Sequence, residues 1–375
     1  MKKIFALSLL CVLSVAAFAQ RPYSTFVSQD ISYDDNIYLT KNGKVDSGIS
    51  VTKLGGKYTS KIPNTGLNLS AMGYGAYNAY TEDNGKNGYW EAGADLELKN
   101  EFLRLTENFI YTSDPANSEL TDRAERLGNF AELYLQSSNK KTFSGALKIA
   151  DKYDYYIDSD YEYLTRNRIS AGAELHYNLS GKTTVFAEYI YSNTSYKDND
   201  ESESQDHTVG IGAKGDLFSK VTGKAGVRYT MRDYDKSIVG ADSDEDLFGY
   251  YADLKWNINS KTSVGLGGNR AMEETIYGVN RFYISTSINA YVAQKIYDKF
   301  TAALTVGYEN MDYTYANANG TKRNDDFYKV RPSVDYSFNN WLSAGVWYQY
   351  RNRTSNVSNT EYANNKAGAF VKAIF

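Results

Sequence analysis

The chain has 375 residues, including 35 Tyr, 29 Gly and only 4 Pro, and its aromatic fraction is 15%. Its formal charge of −4 gives no basic surplus for nucleic acid, and a mean hydropathy of −0.54 is too low for a helical membrane protein. The single cysteine, Cys11, lies in the apolar N-terminal run, so disulfides cannot stabilise the rest of the chain.

The first nineteen residues have the three regions of a secretory signal peptide. Lys2 and Lys3 precede an apolar run over residues 4–18, and Ala17-Phe18-Ala19 is a small-x-small cleavage site. We expect cleavage after Ala19, which leaves residues 20–375 as a single domain. The run is shorter than the roughly 20 residues that a spanning helix needs, and no later stretch approaches that length. A membrane protein with this sequence would therefore cross the membrane with strands.

Apolar and polar residues alternate with period two along most of the chain. Because strand side chains point to opposite faces in turn, each such segment has one face for lipid and one for water. Leu175 and Val227, for example, are predicted to face outward. The clearest segments are 89–99, 168–179, 221–232, 250–259, 282–293, 329–339 and 342–351. Counting gives about eighteen strands, the first predicted over residues 29–40 although Asp34, Asp35 and Asn36 interrupt it.

The connections between these segments alternate in length. Short turns are predicted at 60–64, 100–101, 137–141, 180–182, 219–220, 259–261, 297–299 and 339–340. Longer polar loops are predicted at 82–86, 113–126, 158–162, 197–205, 233–246 and 316–325. Short periplasmic turns and longer outer loops are typical of outer-membrane barrels, whereas a soluble sandwich has no reason to segregate loop lengths. The sequence predicts an all-β, antiparallel, up-and-down transmembrane barrel in the Gram-negative outer membrane.

Alternation also assigns a set of charged residues of both signs to the barrel interior. The predicted lumen-lining residues are Arg104, Glu132, Lys148, Arg168, Glu174, His176, Glu188, Lys224, Arg228, Arg232, Asp253, Lys255, Arg331, Asp335 and Arg351. Barrels of this size leave an aqueous channel. Mixed charges can wet a passage for polar solutes or close it through ion pairs, and the sequence leaves both readings open.

The sequence offers little chemistry beyond these charges. His176 shares a face with Glu174, but no serine motif accompanies it, so we expect no enzyme activity and no cofactor. The acidic stretches 198–206 and 242–246 are predicted to be solvated loops. Calcium is the alternative for them, although neither has a recognised order of metal ligands. The sequence therefore predicts no metal site.

The third long loop, residues 113–126, follows about the fifth strand. In general porins the loop at this place folds into the barrel, so by analogy we consider it a constriction; a solvated outer loop is the alternative. Asn117 or Ser118 would cap a short helical turn, with Arg123 and Arg126 meeting lumen carboxylates. The candidate constriction residues are Glu119, Asp122, Arg123, Glu125 and Arg126.

The last strand carries a predicted insertion signal. Val371, Ala373 and Phe375 fall on one face and Lys372 on the other. An alternating strand that closes on an aromatic residue resembles the signal that outer-membrane barrels present to their assembly machinery. We therefore expect this machinery, together with outer-membrane lipid and lipopolysaccharide, as partners.

Near the mature N-terminus, the segment Tyr33-Asp34-Asp35-Asn36-Ile37-Tyr38 resembles the opening of the putative β-barrel porin 2 family. The resemblance implies an outer-membrane channel and, for some members, a link to exopolysaccharide secretion; it carries over no functional residues. Our interpretation is a porin-like channel for passive passage of small hydrophilic solutes. The alternatives are an exopolysaccharide export channel that works with a periplasmic polysaccharide-export protein, and a non-conducting structural or adhesive barrel.

Overall fold

The computed structural model describes residues 22–121, 123–138, 141–238, 240–275, 277, 280–317 and 319–375. Within them the chain forms one antiparallel sheet of eighteen strands, each paired with its neighbours in sequence. The strands are β1 (Tyr23–Asp34), β2 (Ser47–Lys61), β3 (Asn68–Tyr80), β4 (Tyr89–Lys99), β5 (Leu103–Thr112), β6 (Arg126–Gln136), β7 (Phe143–Tyr156), β8 (Arg166–Asn178), β9 (Thr183–Tyr196), β10 (Ser204–Phe218), β11 (Val221–Tyr234), β12 (Asp244–Asn257), β13 (Thr262–Glu274), β14 (Phe282–Tyr297), β15 (Phe300–Ala316), β16 (Lys322–Ser337), β17 (Leu342–Ser355) and β18 (Tyr362–Ile374). The helical elements are α1 (Asn84–Asn87) and the 3-10 turns Ser159–Leu164 and Asp200–Ser202.

The sheet closes on itself because β18 pairs with β1 as well as with β17. The seam between the two runs from Phe26 opposite Ile374 to Asp34 opposite Lys366. An unpaired backbone group in hydrocarbon costs on the order of several kcal/mol, and closure leaves no sheet edge unpaired. The predicted all-β, up-and-down barrel of about eighteen strands is confirmed. The described helices include none long and apolar enough to cross a membrane.

Side-chain exposure alternates along the strands as the sequence predicts. On β8 the outward Ile169 and Leu175 are 54% and 63% exposed, whereas the inward Glu174 and His176 are 8% and 3% exposed. Val227 on β11 also points outward. Its neighbours in the chain, Gly226 and Arg228, face the interior, where they lie opposite Tyr251 and Gly249 of β12. The barrel thus presents an apolar surface to lipid and a polar surface to its lumen.

The first strand ends earlier than predicted. β1 covers Tyr23–Asp34 rather than residues 29–40, because Asp34 Oδ1 accepts the backbone N–H of Asn36 at 3.0 Å and turns the chain. The same Asp34 oxygen accepts from Asn364 Nδ2 at 2.5 Å, and Asp35 Oδ2 accepts from Asn365 Nδ2 at 2.7 Å. The segment that interrupts the pattern therefore fastens β1 to β18 at the outer end of the seam.

The connections follow the predicted division into short turns and longer loops, with differences in their bounds. The connections at 35–46, 275–281 and 356–361 were not among the predicted loops. The predicted loops 197–205, 233–246 and 316–325 are too long, because β10, β12 and β16 extend into them. At the starts of β10 and β16, Asp206 and Arg323 form ion pairs inside the barrel, and such charged residues resemble a loop in the sequence.

Aromatic rings lie at the end of the barrel that carries the short turns. Phe300 and Tyr336 have their ring centroids 4.7 Å apart, and Trp341 stacks on Phe375 at 6.2 Å. Rings at this level suit a membrane interface. In β18 the outward Val371 is 51% exposed, while Lys372 Nζ lies 5.2 Å from the ring centroid of Phe26 inside. The role of Val371, Ala373 and Phe375 as an insertion signal stays a prediction.

We expect Val227→Arg to lower the stability of the folded barrel by roughly 2 to 4 kcal/mol, because the new charge must enter the lipid face near mid-strand. The measurement is the temperature at which the band of the folded barrel is lost on electrophoresis. Ser287→Arg is the matched control, since Ser287 lines an open cavity of about 370 Å³ inside. Equal losses for both variants would contradict the assignment of faces.

We expect deletion of Phe375 to lower outer-membrane assembly strongly, because it removes the terminal ring and its stacking on Trp341. Lys372→Gln should leave assembly near the wild-type level, since Lys372 faces the lumen. Immunoblots of outer-membrane fractions measure both. Similar membrane levels for the two variants would rule out a special role for the terminal residue.

Candidate functional site

Strand alternation and register place all fifteen predicted lumen residues on the inward face of the barrel. Several of them pair with each other: Arg104 Nη2 lies 2.8 Å from Glu132 Oε1, and Lys224 Nζ lies 3.8 Å from Glu188 Oε2. Others contact neutral groups, as where Arg331 lies over the ring of Trp347 at 4.5 Å. Whether they line a permeation path stays a prediction.

An ion-pair network lies in the outer half of the barrel along β8–β13. Its centre is Arg232, 1% exposed, whose Nε and Nη2 lie 2.7 and 3.0 Å from the two oxygens of Asp206. Arg232 Nη1 also donates to Glu274 at 2.9 Å, and Arg168 pairs with Asp206. Buried charges are tolerated when they are paired in this way.

The interpretation of residues 198–206 as a solvated acidic loop is wrong for Asp206, whereas Asp198, Asp200 and Glu201 are exposed and lie outside the strands as predicted. Asp206 belongs to β10 and is 2% exposed. In the second acidic stretch Asp242, Asp244 and Asp246 are exposed as predicted, but Asp244 and Asp246 belong to β12 rather than to a loop. Among the described residues no group of three or more His, Cys, Asp or Glu is arranged to hold a metal ion.

A second cluster lies nearer the short turns and contains His176. Its Nε2 is 2.7 Å from Glu174 Oε2 and 3.1 Å from Lys214 Nζ, and its Nδ1 is 3.5 Å from Ser144 Oγ. The sequence analysis missed Ser144, which is adjacent only through the β7–β8 register. Since an ionised carboxylate only accepts, His176 Nε2 carries the ring proton and donates it to Glu174 Oε2, to which Lys214 Nζ also donates at 2.8 Å. Nδ1 is then the acceptor that faces Ser144 Oγ, at a distance that is the limit of a hydrogen bond, and both side chains are buried.

The loop between β5 and β6, residues 113–125 and named L3 here, reaches across the barrel. Ser118 Oγ donates to Glu309 Oε2 of β15 at 2.5 Å. Arg353 Nη1 of β17 donates to the carbonyl oxygens of Ser118 and Glu119 at 3.2 and 2.8 Å. Because β15 lies nine strands from β6 in the eighteen-stranded order, L3 spans the lumen near its outer end.

Glu119 anchors this contact. Its Oε1 accepts from Tyr313 at 2.8 Å and from Thr275, and lies 4.0 Å from Arg323 Nη1. The residue is 8% exposed, and burial raises the pKa of its carboxyl group despite these donors. Arg323 and Arg353, which the sequence analysis did not select, complete the anchor; Arg323 lay in a predicted loop.

The details of L3 differ from the prediction. Asn117 Oδ1 accepts the N–H groups of Glu119 and Leu120, both at 3.1 Å, but the described residues of L3 form no helix after it. The Asn117 side chain therefore closes a turn instead of capping a helix. Contacts with the opposite wall of the barrel, rather than helical backbone hydrogen bonds, hold L3 in place.

The two arginines of the predicted constriction behave differently. Arg126 belongs to β6 and lies 3.7 Å from Asp154, a lumen carboxylate, as expected. Arg123 pairs with no described carboxylate within 4 Å; it stacks instead on Tyr80, 4.5 Å from the ring centroid. Glu125 accepts from Tyr111, and Asp122 lies outside the described residues.

L3 separates two unequal spaces. On one side of L3 lies a cavity of about 30 Å³, which has room for one or two waters. Its lining includes Tyr156, Arg166, Tyr196 and Glu274. On the other side, toward β17, β18 and β1, the cavity is about 320 Å³. We call this second cavity the side chamber. It shares Asn117, Ser118 and Phe327 with the 370 Å³ cavity that Ser287 lines.

A closed eighteen-stranded barrel with a charged lumen and its third outer loop folded across that lumen defines a porin-like barrel of the Gram-negative outer membrane. The family model of the putative beta-barrel porin 2 matches residues 156–375, more than half of the chain. The chain therefore belongs to this family. The match does not include the segment at 33–38 that carries the resemblance in the sequence.

Solved structures that resemble this barrel include an outer-membrane protein. OpdK of Pseudomonas aeruginosa is 10% identical, with 94% of this chain and 99% of that chain covered and a TM-score of 0.52. OccAB4 of Acinetobacter baumannii is 13% identical, with 95% and 99% covered and a TM-score of 0.50. At such identities the likeness shows the fold alone. No curated protein matches the sequence.

We expect Glu119→Ala to loosen L3, because it leaves Tyr313 and Thr275 without their acceptor at a cost of about 1 to 3 kcal/mol. Open-channel current noise and the rate of protease cleavage within L3 should both rise. Glu82→Ala, an exposed acid on another outer loop, should change neither. Unchanged noise and cleavage in Glu119→Ala would show that this anchor does not hold the loop.

The docking of L3 should also depend on pH. Because burial raises the pKa of Glu119 in the docked loop, docking is strongest below the usual carboxyl pKa and weakens as pH rises through the raised value. Current noise in the wild type should therefore increase with pH over that interval. Glu119→Gln, which stays neutral, should flatten the profile; the same slope in this variant would assign the pH dependence to another group.

Proposed function

We propose that this barrel is a passive channel for small hydrophilic solutes and that L3 is its constriction. The observation that carries the proposal is the span of L3 across the lumen, from β6 to the Glu309 and Arg353 side chains of the opposite wall. The passage that remains is the side chamber. Family membership and the porin-like fold support a channel.

The chemistry of the lumen suits solutes that carry water or hydrogen-bonding groups. Inward-facing residues include Asn269, Ser287 and Asn289, which line the larger cavity together with Lys329 and Glu309. A polar wall replaces part of the hydration shell of a permeating solute and offers little to an apolar one. Selectivity by size then follows from the space that L3 leaves.

The same geometry disfavours export of a polysaccharide. A chain of sugars would have to pass a cavity of about 320 Å³ beside a loop fastened at its tip, and that volume is at the low end for small-molecule pockets. A non-conducting barrel remains the competing reading, and conductance separates the two. Purified protein in planar bilayers should give discrete conductance steps; their absence from folded protein would overturn the channel proposal.

We expect Arg123→Glu to shift ion selectivity toward cations, because Arg123 lines the side chamber, where charges are poorly screened. The measurement is the reversal potential in a salt gradient. Lys261→Glu is the control with the same change of charge, placed in an exposed turn outside the constriction. If both variants keep the wild-type reversal potential while conducting, ions do not pass beside L3.

A further inference from the structure

The side chamber has more positive than negative charge on its lining. Its cations are Arg123, Arg351 and Lys366, and its carboxylates are Asp34 and Asp114. Three cations against two carboxylates leave one positive charge in excess. The nearby pair formed by Arg323 and Asp325, at 2.6 Å, is balanced within itself and does not change this count.

The cations of the side chamber are poorly neutralised by the protein. Among the described residues neither Arg123 nor Arg351 has a carboxylate oxygen within 4 Å: Arg123 stacks on Tyr80, and Arg351 Nε donates to the amide oxygen of Asn364 at 3.0 Å. Lys366 Nζ lies 3.9 Å from Asp34 Oδ2, near the limit of an ion pair. Guanidinium groups held in this way keep donors for a bidentate contact with a carboxylate.

The carboxylates of the side chamber already have donors of their own. Asp114 Oδ1 accepts from the hydroxyl of Tyr89 at 2.7 Å. Asp34 Oδ1 accepts from the backbone of Asn36 and from Asn364 Nδ2. These bonds hold the two anions on the walls, and the cations are left to face the cavity.

Two amide side chains add unused hydrogen-bonding capacity. Asn78 is 7% exposed, lines the side chamber, and its buried Nδ2 has no hydrogen-bond partner among the described residues. Gln349, on the same lining, is 9% exposed, and its side chain makes no hydrogen bond with the described residues. A buried donor left unpaired is unfavourable, so a ligand that satisfies it gains affinity.

We propose that the side chamber is a binding site for a small acidic sugar, such as a hexuronate, on the permeation path. The carboxylate is held by Arg123 and Arg351, and ring hydroxyls accept from or donate to Asn78 and Gln349. A volume of about 320 Å³ is sufficient for one sugar ring and some water. This site rests on the proposed channel function only in that solutes reach it through the lumen.

The side chamber combines an excess of positive charge with unpaired amide groups, and this combination indicates the class of ligand. An aromatic acid satisfies the cations but leaves Asn78 and Gln349 unpaired, and a neutral sugar satisfies the amides but leaves the excess positive charge. Sites with buried polar groups reject analogues that cannot pair with them. An acidic sugar supplies both kinds of partner.

The test is calorimetric titration of the purified, folded barrel in detergent with sodium D-glucuronate, D-glucose and sodium benzoate, each in a separate experiment. We expect saturable glucuronate binding that is at least tenfold tighter than that of either other probe. Arg123→Gln and Arg351→Gln should each weaken it by about tenfold to a hundredfold, the usual loss for a charged hydrogen bond. Gln349→Leu should weaken glucuronate binding and leave benzoate unchanged.

Lys261→Gln, in an exposed turn, is the matched control and should bind glucuronate as the wild type does. Benzoate binding as tight as glucuronate binding would overturn the sugar assignment. Wild-type glucuronate affinity in both Arg123→Gln and Arg351→Gln would overturn the site. Bilayer conductance is measured on the same preparations. A barrel that conducts but does not bind glucuronate refutes the site alone, whereas a barrel that binds glucuronate but never conducts refutes the channel.

Discussion

The pairing of β1 with β18 is the constraint on which the rest of this structure depends. A sheet in hydrocarbon must leave no backbone group unpaired, and only closure achieves this for strands. The seam is reinforced at its outer end by side chains, because Asp34 and Asp35 bond to Asn364 and Asn365. Once the wall is closed, every inward side chain must share one confined lumen with all the others.

The charged side chains in the lumen are neutralised to different extents on the two sides of L3. Along β8–β13 they are paired: Arg232, 1% exposed, meets both Asp206 and Glu274, and little free space remains. On the far side of L3, Arg123 and Arg351 are left beside an open cavity. Charges in confined space must be paired or hydrated. L3 therefore separates a region of paired charges from the side chamber, where Arg123 and Arg351 lack carboxylate partners, and under our proposal the side chamber is the route for solutes.

Much of the wall could be predicted from the sequence, and so could the inward position of all fifteen lumen candidates. The misses fall at strand ends. Arg323 and Asp206 lay in stretches interpreted as loops, because a run of charges looks solvated when its partners are unknown. In the folded chain Asp206 pairs with Arg232 of β11 and Arg323 pairs with Asp325 of its own strand, and β10 and β16 extend to include them. Ser144 beside His176 was missed for a similar reason, since their contact depends on strand register.

The sequence by itself determined which segments are strands, about how many there are and which side chains face inward. Those features follow from local backbone geometry, in which neighbouring side chains point to opposite faces. Only the tertiary structure decided that L3 lies across the lumen and is fastened by Thr275, Tyr313 and Arg353. These residues are 156, 194 and 234 positions from Glu119 in the chain, and no periodic pattern links them. They meet because barrel closure brings β13–β17 opposite β5 and β6, so the shape of the passage depends on contacts that exist only after the wall has formed.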